Sequence, residues 1–335
     1  MNQHHLQFIC TEMDIGSPGG SVKRVFGSRA GSMLWKFNTS KGSYVIKQLA
    51  PIIDLTSESI LKKYELSEKI AYRFSQKGIK AVCALDKSGK HLIIIENIGY
   101  LVYPWVEACN LGIDTISEAH AIKIAEVIAN LHVINLNVPE IAPSKFYIHT
   151  NSEIAEAIER VFSLKFPFSK ALQENQSFIL SANDSYQAII PVLKEDTVVT
   201  HGDLDQLNVL WDKEKPILID WETVRELNRT RDIVRSSLSW SGIGTENFSL
   251  PIYVNMISTF IKCGGRLNAN HVDAALNTIF GSRIHWILYN INLVCTTDVS
   301  EERDTGINEI NRSLMEMIRA KKLMPDLFKI SVSLI

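Results

Sequence analysis

Residues 198–222 read VVTHGDLDQLNVLWDKEKPILIDWE, a β-rich segment set between long helical ones. Two short apolar runs, 208–211 and 216–219, flank the turn-like Asp212-Lys213-Glu214-Lys215 and read as a hairpin. Asp203 and Asn208 lie five positions apart on the loop before it, and Asp220 ends its second strand, so the hairpin returns Asp220 beside the loop. Two acids and an amide gathered in this way suit a hard cation that also holds phosphates, for which magnesium is the natural ion. A calcium loop is ruled out by position. Asp203, Asp205 and Glu214 would fill its first, third and twelfth places, but Leu207 stands fifth and Asn208 sixth, where a ligand and a glycine are required. The plainer alternative makes His201 and Asp203 turn stabilisers at a strand end. Against it, His, Asp, Asn and Asp at these intervals resemble a phosphoryl-transfer arrangement.

Upstream, the chain reads as strands around one helix. Residues 32–37 and 43–49 form two strands joined at Lys41-Gly42. Ile60, Leu61, Tyr64, Ile70, Ala71 and Phe74 predict a helix over 57–77, stopped by Gly78, and further strands follow at 80–85 and 91–95. From about Trp105 the pattern turns helical. Ser117 caps a helix to about 135, and Thr150 with Glu153 makes a capping box for the next. Helical periodicity also covers 170–194, 230–239, 251–262, 271–294 and 300–322. The expected class is α+β: a small β-rich lobe over 1–104 passing directly into a larger, mainly helical lobe over 105–335.

The 335 residues are 46% hydrophobic, enough to bury a core, and their number favours two domains. Lys and Arg total 35 against 37 Asp and Glu, a net charge of −2. No basic field makes nucleic acid or an anionic membrane an expected partner. The opening MNQHHLQFICTEMDIG lacks the cationic start and apolar run of a secretory signal. The most apolar stretch, 91–106, is broken by Glu96 and Asn97, so no membrane span is expected. Five cysteines without a C-x-x-C pair fit reduced thiols and a cytoplasmic location. Oligomeric state is not legible at this level.

H-G-D-L-D-Q-L-N-V-L-W followed by I-L-I-D-W-E resembles the catalytic loop and metal-binding strand of the aminoglycoside phosphotransferase and choline kinase-like family, small-molecule relatives of protein kinases. The resemblance implies a bilobal, protein kinase-like fold with an N-terminal nucleotide-binding lobe. It implies ATP as donor, with nothing to set it apart from GTP, and Mg2+. Asp203 would act as base toward the acceptor hydroxyl, Asn208 and Asp220 would hold the metal, and His201 would brace the loop. Lys47, in Y-V-I-K-Q-L, looks like the strand lysine that reaches the α- and β-phosphates. Glu65 on the following helix is its expected partner, with Glu58 and Glu68 as alternatives. Gly19, Gly20 and Ser21 would close over the phosphates through backbone N–H groups. In the link at 100–106, Tyr103 C=O and Trp105 N–H are expected at the adenine edge, with Val106 the next choice. A-N-L-H, ending at His132, looks like the helix before the catalytic loop, which makes His132 a packing residue. Arg231-Asp232 resembles the Asp-containing turn after the metal strand, which gives Asp232 a structural role. D-F-G and A-P-E are missing, so a small molecule rather than a peptide is the expected acceptor.

Asp298, Glu301, Glu302, Asp304 and Glu309 cluster late in the chain, and Glu222 follows the metal Asp by two positions. With Asp205 and Glu222 as candidate substrate contacts, acids facing a cleft would favour a cationic acceptor such as an aminoglycoside. A solvated helix face is the plainer reading. Trp240, Trp286 and Tyr289 either stack on a ring or quaternary amine or belong to the core. The expected activity is ATP- and Mg-dependent O-phosphotransfer to a small hydroxylated compound, an antibiotic or a metabolite such as choline, homoserine or a sugar. The alternative is a catalytically silent, nucleotide-binding protein of spore-coat type. Retention of Lys47, Asp203, Asn208 and Asp220 argues against it.

Overall fold

The computed structural model describes residues 1–25, 31–112 and 115–335. In chain order its elements begin with α1 (Gln3–Glu12), β1 (Pro18–Val25), β2 (Met33–Thr39), β3 (Gly42–Gln48), α2 (Glu58–Ser75), β4 (Ile93–Ile95), β5 (Ile98–Pro104) and α3 (Glu118–Ile134). Next come α4 (Asn151–Ser163), α5 (Ser169–Glu174), α6 (Gln176–Leu193), β6 (Thr197–Thr200), β7 (Val209–Asp212) and β8 (Lys215–Leu218). The chain continues through β9 (Arg225–Asn228), α7 (Arg229–Trp240), α8 (Leu250–Lys262), α9 (Val272–Thr296) and α10 (Ser300–Ser333). Two compact units result: residues 1–115, 138–141 and 206–224, and residues 116–137, 142–205 and 225–335.

The first unit is built on an antiparallel sheet in the order β1-β2-β3-β5-β4. Alternation along β5 sends Tyr100 and Val102 to one face and Leu101 and Tyr103 to the other. The first pair joins Leu6, Ile9, Cys10 and Met13 of the N-terminal segment in one core, and the second pair meets Tyr64 of α2 in another. Helix α1 is an element the strand-dominated reading omits. Its apolar residues fall at helical spacing, and Asn2 caps it by accepting from His4 and His5 N–H.

Residues 80–85, expected as a strand, form none. Their backbone is drawn instead to the β7–β8 hairpin, where Leu218 N–H donates to Lys80 C=O at 2.8 Å and Val82 N–H to Leu218 C=O at 2.9 Å. Trp211 N–H, in β7, donates to Cys109 C=O at 2.8 Å. These bonds group residues 206–224 with the N-terminal unit, although α3 to α6 and β6 lie between them in the chain.

In the second unit α9 packs against α6, α7 and α10. Its buried face includes Ile279, Ile284, Ile287, Ile291 and Val294. The capping box at Thr150 and Glu153 forms, and Ser117 caps α3 with His120 reaching back. The helical run expected over 170–194 breaks at Asn175, whose side chain donates to Ala171 C=O at 2.8 Å. Strands β6 and β9 pair antiparallel, with Thr200 opposite Arg225. No helix among the described residues is long and apolar enough to cross a membrane.

Candidate active site

In the first unit Lys47 lies on β3, 4% exposed, and its Nζ donates to Asp220 Oδ1 at 2.7 Å and to Glu222 Oε2 at 2.8 Å. Burial pulls the Lys47 pKa down, but the two carboxylates more than offset this and hold it above its ordinary value. The expected Lys47–Glu65 pair is not the one formed. Glu65 caps the return of the chain into β4, accepting from His91 N–H and Leu92 N–H at 2.9–3.1 Å. Glu58 is exposed and pairs with Lys62. Glu68, one turn further along α2, is 2% exposed and accepts from Tyr103 Oη at 2.8 Å and Ala84 N–H at 2.7 Å. Burial pushes Glu68 up in pKa, partly countered by those bonds and by the charges of His91 and Lys47. Burial, followed by the charge of Glu222, pushes Tyr64 up to about 12. Two carboxylates, Asp220 and Glu222, thus share the one Lys47 ammonium.

Asp220 reaches Lys47 because its neighbours are anchored. Trp221, 1% exposed, stacks on Phe74 of α2 with centroids 5.5 Å apart, and Asp220 adopts a left-handed backbone at φ +63° before it. Ile219 N–H donates to Asn208 C=O at 3.0 Å, so the hairpin brings Asn208 to the strand end that carries Asp220. The oxygen-only donors Asn208 and Asp220 fit magnesium, which draws its remaining ligands from water and phosphate oxygens. Among the described residues no group of three or more His, Cys, Asp or Glu is placed to hold a metal.

The strand geometry corrects the expected adenine contacts. Trp105 N–H already donates to Ser43 C=O at 2.9 Å, and Tyr103 stands opposite Val45 in the same ladder, so both point toward β3. Backbone groups alternate along a strand, and Val102 C=O, which accepts from Leu85 N–H at 2.7 Å, marks the other edge. Pro104 C=O falls on that edge, and Val106 N–H, two residues past the end of β5, makes no hydrogen bond among the described residues. Trp105 N–H is thus already engaged, and the Trp105 ring is covered by Lys36 Nζ at 3.6 Å. Gly19, Gly20 and Ser21 lie exposed within β1 rather than in a separate turn. The pairing with β2 shifts register between Gly19 and Lys23, where Gly20 takes φ +74°.

The chain passes from the second unit to the first within the motif: Asp203 and Asp205 belong to the second, Asn208 to the first. Asp203 is exposed, and its loop is held on both sides. Arg225 Nη2 donates to Gly202 C=O at 2.9 Å, and Trp240 Nε1, on a ring 2% exposed, donates to Leu204 C=O at 2.8 Å. Trp240 is therefore a brace inside the fold, not a stacking surface. His201 is fully buried. Below it, Asp232 Oδ2 accepts from Thr200 Oγ1 and contacts His132 Nε2, each at 2.8 Å. Full burial alone would raise the Asp232 pKa, but the bond and charge of His132 and the bond from Thr200 hold it below the ordinary 3.8. His132 is thus a polar partner of Asp232 as well as a packing residue edge-on to Phe260. Because the native carboxylate is favoured, its contribution to stability is present above pH 3.8 and is lost as pH falls through its lower native value. Asp232→Ala strands His132 and Thr200 in the interior and should cost about 3 kcal/mol in urea unfolding. A cost below about 1 kcal/mol would remove the pair from any structural role.

The late acids do not gather around a cleft. Asp298, Glu301, Glu302 and Asp304 are exposed around the start of α10, and Glu309 accepts from Trp286 Nε1 at 2.9 Å. Trp286 stacks on Tyr289 at 5.0 Å. Arg225 carried no motif signal, and Trp240 could be seen as a loop brace only once α7 was in place.

The family model described as phosphotransferase enzyme family matches residues 26–252, more than half of the chain. By sequence, no curated protein matches at a significant level. Among solved structures, a spectinomycin phosphotransferase in complex with ADP and spectinomycin superposes with a TM-score of 0.70 at 12% identity, covering 96% of this chain and 99% of that one. An aminoglycoside phosphotransferase from Alicyclobacillus acidocaldarius gives 0.65 at 10% identity, covering 95% of each chain. A choline kinase from Cryptosporidium parvum gives 0.56 at 14% identity, covering 99% of each. At these identities the likeness is one of fold.

Proposed function

The chain belongs to the phosphotransferase enzyme family, and from that premise we propose that this small-molecule kinase moves the γ-phosphoryl group of ATP, with magnesium, to a hydroxyl of its acceptor. The observation that carries the reading is Lys47, buried on β3 and paired with Asp220 from 173 positions away in sequence. A buried ammonium is held there by carboxylates that a nucleotide's phosphates can partly replace. Phosphoryl transfer through a loose transition state needs alignment and charge neutralisation more than covalent help. Lys47 meets the phosphates, Asn208 and Asp220 hold the metal, and bound magnesium supplies neutralisation of the charge developing on the transferred group. Asp203, on a loop braced by Arg225 and Trp240, orients the acceptor hydroxyl and takes its proton. The solved relatives bound to ADP or AMP support a nucleotide here.

Pro104 C=O and Val106 N–H supply the edge that recognises adenine. Val106→Pro deletes that donor and should weaken ATP about tenfold, the worth of one hydrogen bond, as read by titration calorimetry. Unchanged affinity would place the adenine elsewhere. The catalytically silent alternative is not favoured, since the lysine, base and metal positions are all filled by competent side chains.

A further inference from the structure

The second unit carries more guanidinium charge in its interior than its carboxylates meet. Glu316, 2% exposed, is taken by Arg283 Nε at 3.0 Å and Arg235 Nη1 at 3.5 Å. Asp232 is taken by His132 and Thr200. That leaves Arg231 and Arg225. Arg225 bonds Gly202 C=O through Nη2, while its Nε is buried without a hydrogen-bond partner. The Arg231 guanidinium, partly buried, lies over the Phe146 ring at 5.9 Å and makes no hydrogen bond or ion pair among the described residues. Burial first, then the charges of Arg225 and Arg235, push Arg231 down to about 10, against the pull of Tyr186 and Asp232. A guanidinium withdrawn from water beside two others is destabilising unless an anion meets it. Its planar fork suits a carboxylate or phosphate.

Arg225 also fixes where such an anion would sit along the chain, because Gly202 directly precedes Asp203. Most acids that would have favoured a cation are engaged or exposed away from one another: Glu222 on Lys47, Glu309 on Trp286, and Asp298, Glu301, Glu302 and Asp304 exposed around the start of α10. We propose that Arg231, with Arg225 beside it, binds an oxyanion on the hydroxyl acceptor, so that the acceptor is an anion rather than the cation the acidic residues suggested. This rests on the phosphotransferase reading of the site.

The test is read first without turnover. With a non-hydrolysable ATP analogue and magnesium saturating the nucleotide site, melting is followed against inorganic phosphate, malate and chloride at equal ionic strength. Phosphate or malate should stabilise the wild type beyond chloride, and whichever acts identifies the oxyanion. Arg231→Gln should weaken that response about tenfold or more, and Arg231→Lys, which keeps charge but not the fork, by less. Without anion, Arg231→Gln should melt no lower than the wild type, because it removes an unmet charge; an arginine with a purely structural role would give a clear loss. Equal responses to all three salts, or a wild-type response in Arg231→Gln, overturns the proposal. A second arm compares turnover of hydroxy acids and sugar phosphates with that of choline and aminoglycosides. Anionic acceptors should show the higher kcat/KM, with Arg231→Gln raising KM for them alone. Preference for cationic acceptors, unchanged in Arg231→Gln, also overturns it. Failure to bind ATP or to phosphorylate any acceptor would instead count against the phosphotransferase reading, while the anion titration gives its own answer.

Discussion

Asp203→Asn should lower kcat by about three orders of magnitude, within the range a positioned general base contributes, while leaving the Kd for ATP within about twofold. The asymmetry follows from where the residue lies. Asp203 is exposed on a loop whose carbonyls on either side are fixed by Arg225 and Trp240, so an isosteric amide need not disturb the backbone. On the proposed reading the nucleotide and its metal are met by Lys47, Asn208 and Asp220, whose side chains the substitution leaves unchanged. Steady-state kinetics with the best acceptor, alongside calorimetry with ATP, separates the two effects. If the variant turns over acceptor at the wild-type rate, the base lies elsewhere.

Asp220→Ala should remove the magnesium-dependent part of ATP stabilisation. For the wild type, ATP at about one hundred times its Kd adds about 2.7 kcal/mol, seen as a rise in Tm. In the variant, magnesium should add nothing beyond what ATP achieves in EDTA. The loss has two sources: a metal oxygen disappears, and Lys47 keeps Glu222 as its single partner. Alanine also tolerates the left-handed backbone at Asp220 poorly. Asp220→Asn, which accepts that conformation, is therefore the companion that separates loss of charge from loss of fold. A full magnesium-dependent shift in both variants would remove Asp220 from the metal site.

The comparison of motif and structure shows which kinds of information are local. The run around Asp203, Asn208 and Asp220 could be read because a hairpin is a short-range object: turn residues and β-rich flanks are adjacent in the chain. Caps at Ser117 and Thr150 were legible for the same reason, a side chain meeting a backbone three positions away. Helix α1 was equally local: its apolar spacing and Asn2 cap are present in the first residues. By contrast, Glu65, Glu68 and Glu58 occupy one helix and differ in neither type nor spacing in any way that selects a partner. Their roles diverge because Glu68 turns into the core, Glu65 meets the entry to β4 and Glu58 stays in solvent.

By itself the sequence determined the class of fold, the motif and the chemistry of its donors, since these depend on residue type and on contacts within a few positions. Only tertiary structure decided that Lys47 pairs with Asp220 and Glu222, that strand register spends Trp105 N–H and leaves Val106 N–H, and that the Arg231 guanidinium makes no hydrogen bond or ion pair among the described residues. Each depends on which distant segments share a dielectric interior. Charge balance there is set by pairing across the fold, not by the near-equal totals of acid and base along the chain.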